Sequence, residues 1–370
     1  MIYYGKQNIN QDDIDSVIDV LKSDFLTQGP KVPEFEADLQ TYCQVKYAKV
    51  VSNATAALHL AYLAVGLQKN DIVWTSPNTF VSTANAALFC NAEVDFVDID
   101  PKSYNMSVES LEEKLIQAKK DKKLPKLVVP VHFAGQSCDM KKIWQLSKEY
   151  KFWVIEDASH ALGGSYHQKK IGNCEYSHMS VFSFHPVKMI TTGEGGAVTT
   201  NSKALDEKIS LLRTHGITKD HSKFNFESHG DWYYEQQSLG YNYRLTEIQA
   251  ALGISQLRRL DSFVSKRREI ANFYLQHLDN NITPTQHSHS NSSWHLFVVQ
   301  IKNRKKIYQQ LKDCGIQCQV HYIPVNLQPF YNRKSLKNCE VFYEHCLSLP
   351  IYYDLTKEQC QRVVSCINHD

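Results

Sequence analysis

The sequence predicts an α/β protein: a mostly parallel central sheet covered by helices, followed by a small C-terminal α+β domain. Three observations carry this. From about residue 46 to 200, short β-branched runs alternate with helical patterns, the mark of consecutive strand–helix units. The runs are almost continuously apolar, as strands buried on both faces are. The 370 residues are enough for a large core and about two domains.

The elements follow in order. Val50-Val51 leads into a helix over Ala54–Val65, and Ile72-Val73-Trp74-Thr75 into one over Phe80–Phe89. Val94 to Ile99 leads into Val108–Ala118, and Leu127 to Val131 into Met140–Tyr150. Phe152 to Ile155 and Val181 to Phe184 complete the strands. In such sheets ligands bind at the carboxyl ends of the strands. Arg244 to about Leu278 reads as one long helix, with Leu245, Ile248, Ala251, Leu252, Leu257 and Leu260 in helical register. It is predicted to join a large domain (1–250, with an N-terminal arm) to a small one (251–370). The small domain is read as a strand over Leu296–Ile301, a helix over Lys305–Cys314, a strand over Gln317–Tyr322 and two terminal helices. Ile217–Ser238 lacks periodicity and carries Phe224, Phe226, Trp232, Tyr233 and Tyr234. A stretch of that length without a pattern tends to be functional, as a lid or an interface.

Composition excludes several classes. The chain is 42% hydrophobic and 22% charged, with 41 basic and 39 acidic residues for a net charge of +2. No basic patch marks a nucleic-acid footprint, and the Lys119–Lys126 run reads as a solvated loop. No basic-then-apolar start and no stretch of eighteen apolar residues is present, so neither a signal peptide nor a membrane span is expected. Ten cysteines are scattered without paired zinc-ligand spacing. No metal is expected, and reduced thiols in a cytoplasm are.

The stretch Ser183-Phe184-His185-Pro186-Val187-Lys188-Met189-Ile190-Thr191-Thr192-Gly193-Glu194-Gly195-Gly196 places one lysine between an apolar strand and a glycine-rich turn. Burial there lowers a lysine's pKa and makes it a nucleophile suited to a Schiff base with a carbonyl or with pyridoxal phosphate. An ordinary surface lysine before a turn has the same local pattern.

Three further strand ends bear on the choice. Asp157 closes Phe152-Trp153-Val154-Ile155-Glu156-Asp157. It is either a helix N-cap or a carboxylate held against a pyridinium nitrogen. Ser52-Asn53-Ala54-Thr55-Ala56-Ala57 joins a strand to a helix, which is a cap or, with Ser183, a phosphate cradle. Pro77-Asn78-Thr79-Phe80 supplies an aromatic that either stacks on a planar ring or belongs to the core. Together they occur in the order a pyridoxal-phosphate enzyme requires, with Lys188 following Asp157.

With these motifs, and with Leu26-Thr27-Gln28-Gly29-Pro30, Glu156 to Gly163, Arg213-Thr214-His215-Gly216 and Gly240 to Ala251, the chain resembles the nucleotide-sugar aminotransferases of the DegT/StrS type over nearly its whole length. The resemblance implies the large aminotransferase fold, fold type I. His160, Trp232-Tyr233-Tyr234-Glu235 and Gln319-Val320-His321-Tyr322 resemble the pseudaminic-acid branch, which aminates C4 of a UDP-linked 4-keto-6-deoxy sugar. It further implies that Lys188 carries the cofactor and moves the proton, and that Asp157 pairs with the pyridine nitrogen. His160, where many members have Gln, is implied beside the ring or its phenolic oxygen. Phe80 is implied to stack on the ring. Ala54, Thr55 and Ser183 are implied at the phosphate or the substrate. Asn242 is implied to reach the neighbouring subunit's phosphate, making a homodimer. Tyr4, Asp24, Phe25, Leu26, Thr27, Gln319, Val320, His321 and Tyr322 are implied to line the nucleotide-sugar side. The expected substrates are an amino acid, L-glutamate, and a UDP-sugar. The alternatives are a sibling acting at C3 or on a D-configured or TDP-linked sugar, and a regulator on the same fold. The regulator would need a DNA-binding appendage, whereas residues 1–45 hold one short amphipathic helix and no basic cluster.

Overall fold

A computed structural model describes residues 1–331 and 335–368; within the predicted small-domain range, 332–334 and 369–370 lie outside it. Seven strands form the central sheet: β1 (Tyr47–Val51), β2 (Ile72–Thr75), β3 (Glu93–Phe96), β4 (Leu127–Val129), β5 (Trp153–Asp157), β6 (Met179–Ser183) and β7 (Gly196–Thr200). Their spatial order is β1-β7-β6-β5-β4-β2-β3. Pairings from β6 across to β3 are parallel, whereas β7 runs antiparallel to both β6 and β1. A parallel return needs a crossover, usually a helix. Residues 184–195 contain none, so the chain doubles straight back, and Lys188 lies on that return at the carboxyl end of β6.

The helices are α1 (Gln11–Leu21), α2 (Lys31–Cys43), α3 (Ala54–Ala64), α4 (Ser82–Phe89), α5 (Val108–Lys120), α6 (Met140–Tyr150), α7 (Lys203–Arg213), α8 (Glu247–Arg258) and α9 (Leu260–His277). On one face Leu58, Leu60 and Tyr62 of α3 pack with Val73, Val129, Ile155, Val181 and Val198. On the other, Phe35 and Leu39 of α2 pack with Val50, Phe182 and Phe184, and Leu111 and Ile143 with Trp74, Val128 and Val154. Successive residues thus point to opposite faces, as strand geometry demands. Each such side chain, fully buried, is worth about 1.5–3 kcal/mol, so the sheet is a rigid platform for its strand ends.

The predicted helix from Arg244 to Leu278 is two helices, α8 and α9, meeting at Arg259 (φ −101°, ψ −1°). No glycine or proline stands at the break; tertiary contacts make it. The Arg259 guanidinium holds Asp13 Oδ2 at 2.5 Å and Asn8 Oδ1 at 2.6 Å, tying the joint to the N-terminal arm. Leu260, Phe263 and Val264 join the sheet core, while Ile270, Ala271 and Tyr274 join the second core.

That second core is built on β8 (Phe297–Gln300) and β9 (Cys346–Leu349), paired antiparallel, with α10 (Arg304–Asp313) and α12 (Lys357–Asn368) against them and α11 (Lys337–His345) leading into β9. The predicted strand Gln317–Tyr322 is instead an edge segment with single bridges, Ile316 to Ile2 and Gln319 to Ser348. Its polar groups divide between the N-terminal arm and β9, so no continuous ladder forms. In the aromatic segment, Ile217–Thr218 pairs with Glu235–Gln236. The Glu235 carboxylate accepts the N–H groups of Asn225 and Phe226 at 2.7 and 2.8 Å and the Tyr233 hydroxyl at 3.1 Å. Phe226, Trp232 and Tyr234 stay exposed.

Candidate active site

Asp157 ends β5 on the same face as Ile155, toward α3 and α4. Its backbone is pinned to the segment after β4, N–H to Pro130 O at 2.9 Å and C=O from His132 N–H at 3.0 Å. One carboxylate oxygen accepts the Ser159 N–H at 3.1 Å and the other the Thr83 hydroxyl at 2.7 Å. Thr83 Oγ1 is also 2.8 Å from Thr79 Oγ1. The single Thr83 proton goes to the carboxylate, which only accepts, so Thr79 donates to Thr83. Residues 158–163 form turns and no helix, so Asp157 caps nothing. Its neighbour Glu156 faces the other way and accepts from His132 Nε2 at 2.6 Å, Ser177 at 2.5 Å and Ser180 at 2.8 Å. The acidic pair is therefore one site residue and one anchor.

Lys188 sits on the β6–β7 return, partly covered. Burial pulls its ammonium down to about 8, and Asp157 works in the opposite direction. His160, His295 and His321 surround it. Burial first, and the Lys188 charge among later causes, hold all three imidazoles low, His321 at about 3. The lysine therefore works among neutral rings.

A cradle lies beside it. Asn53 caps α3 by accepting the Ala56 N–H at 2.8 Å, which leaves the first N–H groups of the helix, on Ala54 and Thr55, without intrahelical partners. Gly196 pairs with Val51 on one side and Ser183 on the other. A Cβ on Gly196 would lie 2.7 Å from Ala54 N and from Asn53 C. The glycine is what lets the α3 N-terminus close against the β6 end. Ser183 is buried, and among the described residues its oxygen accepts only the His185 N–H, at 3.5 Å, and its hydroxyl donates to none. Gly196→Ala is expected to push the helix start off the strand. It should weaken retention of a bound phosphate about 5- to 150-fold, at the 1–3 kcal/mol typical of overpacking, measured by equilibrium dialysis.

Phe80 is 57% exposed, with its ring 6.2 Å from that of Tyr322. Tyr322 Oη lies 3.1 Å from His160 Nε2, and the Tyr4 ring 5.5 Å from that of His321. The arm, the 321–322 segment, His160 and Phe80 thus form one wall. Gln319 is exposed and Val320 half-buried on the segment leading there. Asp24, Phe25, Leu26 and Thr27 are all exposed, tied back by the Glu247 N–H on Leu26 O at 3.0 Å. Among the described residues, no hydrogen bond or ring contact joins them to the wall. Asn242 is exposed and bridges only to Thr214. Thr83, Thr79, Ala134 and His295 were not singled out from the sequence. The Ser82-Thr83-Ala84-Asn85 run looks like any small-residue helix start, and the burial of His295 after Trp294 is set by the fold and not by a local pattern. Among the described residues, no group of three His, Cys, Asp or Glu is disposed to hold a metal.

A nucleophilic lysine, a strand-end carboxylate and a helix-start cradle at the carboxyl edge of this sheet define an enzyme of the fold type I aminotransferase class. The chain belongs to the DegT/DnrJ/EryC1/StrS aminotransferase family, which it matches over residues 7–368. It is 41% identical over 375 residues to the UDP-4-amino-4,6-dideoxy-N-acetyl-beta-L-altrosamine transaminase of Campylobacter jejuni serotype O:2, covering 98% of this chain and 96% of that protein. Among solved structures it is similar to PseC of Helicobacter pylori, an aminotransferase involved in the biosynthesis of pseudoaminic acid. That match has a TM-score of 0.89 at 35% identity, covering 99% of this chain and 98% of the other. The PLP form of Spr1654 from Streptococcus pneumoniae superposes with a TM-score of 0.87 at 26% identity, covering 98% and 96%.

Proposed function

We propose that the protein is a pyridoxal-phosphate aminotransferase that moves an amino group from an amino acid, L-glutamate, to the C4 ketone of a UDP-linked 4-keto-6-deoxy-HexNAc sugar, as in pseudaminic-acid biosynthesis. The observation that carries the reading is the placement of Lys188 on the β6–β7 return, at the same carboxyl edge of the sheet as Asp157 and the α3 cradle. The named relatives supply the sugar.

The residues present fit the cofactor. The Ala54 and Thr55 amides with the Ser183 hydroxyl suit a phosphate, the open face of Phe80 suits a planar ring, and Asp157 suits a protonated ring nitrogen. When bound, pyridoxal phosphate supplies an electron sink for charge developing at the substrate carbon. Asp157, held by Thr83 and Ser159, keeps that ring nitrogen protonated. Lys188 accepts and returns the proton at the substrate carbon, for which an amine titrating near working pH is suited. Tyr4, His321 and Tyr322 line the sugar side, and the neutral imidazoles add no charge against a cationic lysine. Asn242 completes the neighbouring subunit's phosphate site in a homodimer, whose second copy also covers Phe226 and Trp232. We place the enzyme in the cytoplasm, where nucleotide sugars are made and thiols stay reduced.

The test is a product assay. With cofactor, L-glutamate and a panel of UDP- and TDP-linked keto-sugars, the expected product is the 4-amino sugar of the UDP-4-keto-6-deoxy-HexNAc, identified by mass and NMR. Amination only at C3, or only of TDP-sugars, would assign the sibling activity instead.

The lysine's pKa has a direct consequence. Burial disfavours the ammonium, so the neutral amine gains population as pH rises through about 8, rather than near the 10.4 of a free lysine. Modification of apo-protein by an amine-reactive ester, mapped by mass spectrometry across pH 6.5–10, should show Lys188 reacting with a midpoint near 8 while exposed lysines are still rising at the top of the range.

A further inference from the structure

His160 has only one consistent arrangement of protons. Ala134 stands in the left-handed region (φ 57°, ψ 4°), a conformation a non-glycine residue adopts at a cost. That conformation directs its N–H onto Nδ1 of His160 at 3.3 Å. An amide N–H only donates, so Nδ1 must present its lone pair. The ring is buried and held well below the ordinary imidazole range by that burial, by Lys188 and by His321. The single proton of the neutral ring is therefore on Nε2. Nε2 lies 3.1 Å from Tyr322 Oη, so the imidazole donates and the phenol oxygen accepts. Tyr322 stays a phenol, because burial, then Asp157 and Tyr4, hold its pKa far above the usual value. Its own hydrogen has to point away from His160, and the described residues offer it no acceptor. The adjoining wall is the open face of Phe80, 6.2 Å between ring centres.

We propose that Tyr322 is a hydrogen-bond donor to an oxygen bound in the cleft, and that His160 is a positioning residue that sets the direction of that donation. The acceptor is an anionic or carbonyl oxygen: the phenolic oxygen of the cofactor or the keto oxygen of the sugar. This rests on the aminotransferase reading of the cleft. The same proton order can be kept by a Gln at 160. A Gln side chain can accept the Ala134 N–H through its oxygen and donate to Tyr322 through its nitrogen, preserving the order. A Glu carboxylate only accepts, so it would draw the Tyr322 hydrogen to itself.

The proton order is tested without turnover. In apo-protein labelled with ¹⁵N-histidine, the His160 resonances, assigned by their loss in His160→Gln, should show a protonated Nε2 and bare Nδ1, unchanged from pH 6 to 8.5. A protonated Nδ1, or titration in that range, would overturn the proposal and leave the aminotransferase reading standing. In the holoenzyme, Tyr322→Phe and His160→Glu should each lose about 10- to 100-fold in kcat/KM, the scale of a lost hydrogen bond to a charged acceptor, and His160→Gln should lose distinctly less than His160→Glu. His160→Glu/Tyr322→Phe should be no worse than the poorer single variant, since both remove one donated hydrogen. A rise in cofactor Kd with a shifted cofactor absorbance in Tyr322→Phe identifies the cofactor oxygen. An unchanged Kd with a loss confined to the keto-sugar half-reaction identifies the sugar oxygen. Equal behaviour of the Gln and Glu variants, or multiplicative losses in the double variant, would refute the role. If no variant and no parent protein turns over a keto-sugar, the activity has failed and not the proton order.

Discussion

Lys188→Ala is expected to abolish amine transfer, lowering kcat at least about 10³-fold, the scale at which removing a covalent and proton-carrying residue acts. It should also abolish borohydride-fixed attachment of the cofactor to the chain. The loss should be chemical and not structural. The Lys188 side chain makes no ion pair or hydrogen bond within the described residues. Its loop is held by backbone: Lys188 N–H to His185 O at 2.8 Å, Phe184 N–H to Gly195 O at 2.9 Å and Thr192 N–H to Phe184 O at 3.0 Å. The variant's melting curve should therefore overlay the parent's or lie slightly above it, because a buried ammonium costs stability. Measured turnover within about a hundredth of the parent's would remove Lys188 from the chemistry and with it the proposed function. Lys188→Arg separates charge from nucleophilicity. A guanidinium keeps the cation but neither forms the imine nor releases a proton near neutral pH, so it should be as inactive as the alanine variant.

What the sequence made legible follows a physical line. Strand-end positions were readable because β5 and β6 are continuous apolar runs whose polar ends stand out, and period-two alternation then sends Asp157 and Glu156 to opposite faces. The α3 cradle was readable because Asn53 before an alanine-rich helix is a strong start signal. Long-range contacts were not. Nothing local says that Thr83 donates to a residue 74 positions away, that Arg259 breaks a helix by reaching Asp13, or that Cys346–Leu349 and not Gln317–Tyr322 takes the partner strand's ladder. The proposed positions of the lysine and of each part of the cradle sit at strand ends that local pattern marks. The wall proposed for the sugar brings together the arm, the 321–322 segment, His160 and Phe80, stretches far apart in sequence. Periodicity carries no information about that assembly.

Asp157→Asn should be nearly as damaging as loss of the lysine, and the reason separates charge from shape. The side chain keeps its size, so the β5 backbone pins should survive. What changes is that a group able only to accept becomes one that also donates. If the amide oxygen stays on Thr83, its NH₂ faces Ser159's N–H, and if it flips, the NH₂ faces a Thr83 hydroxyl already receiving from Thr79 at 2.8 Å. Either way the formal negative charge that keeps a ring nitrogen protonated is gone. A fall in kcat of about 10²–10³-fold is expected, as for removing one preorganised electrostatic partner, with bound cofactor retained by the phosphate cradle and with a shifted absorbance maximum. Thr83→Val is the informative companion. It deletes one hydrogen bond to the carboxylate but leaves the charge and the Ser159 N–H, so kcat should fall about 10-fold, the lower end of the cost of a bond to a charged group, and less than in Asp157→Asn. If the valine variant is as inactive as the asparagine one, Asp157 acts through its orientation alone. If the asparagine variant keeps full kcat, the carboxylate is no ring partner and serves β5 as a structural residue.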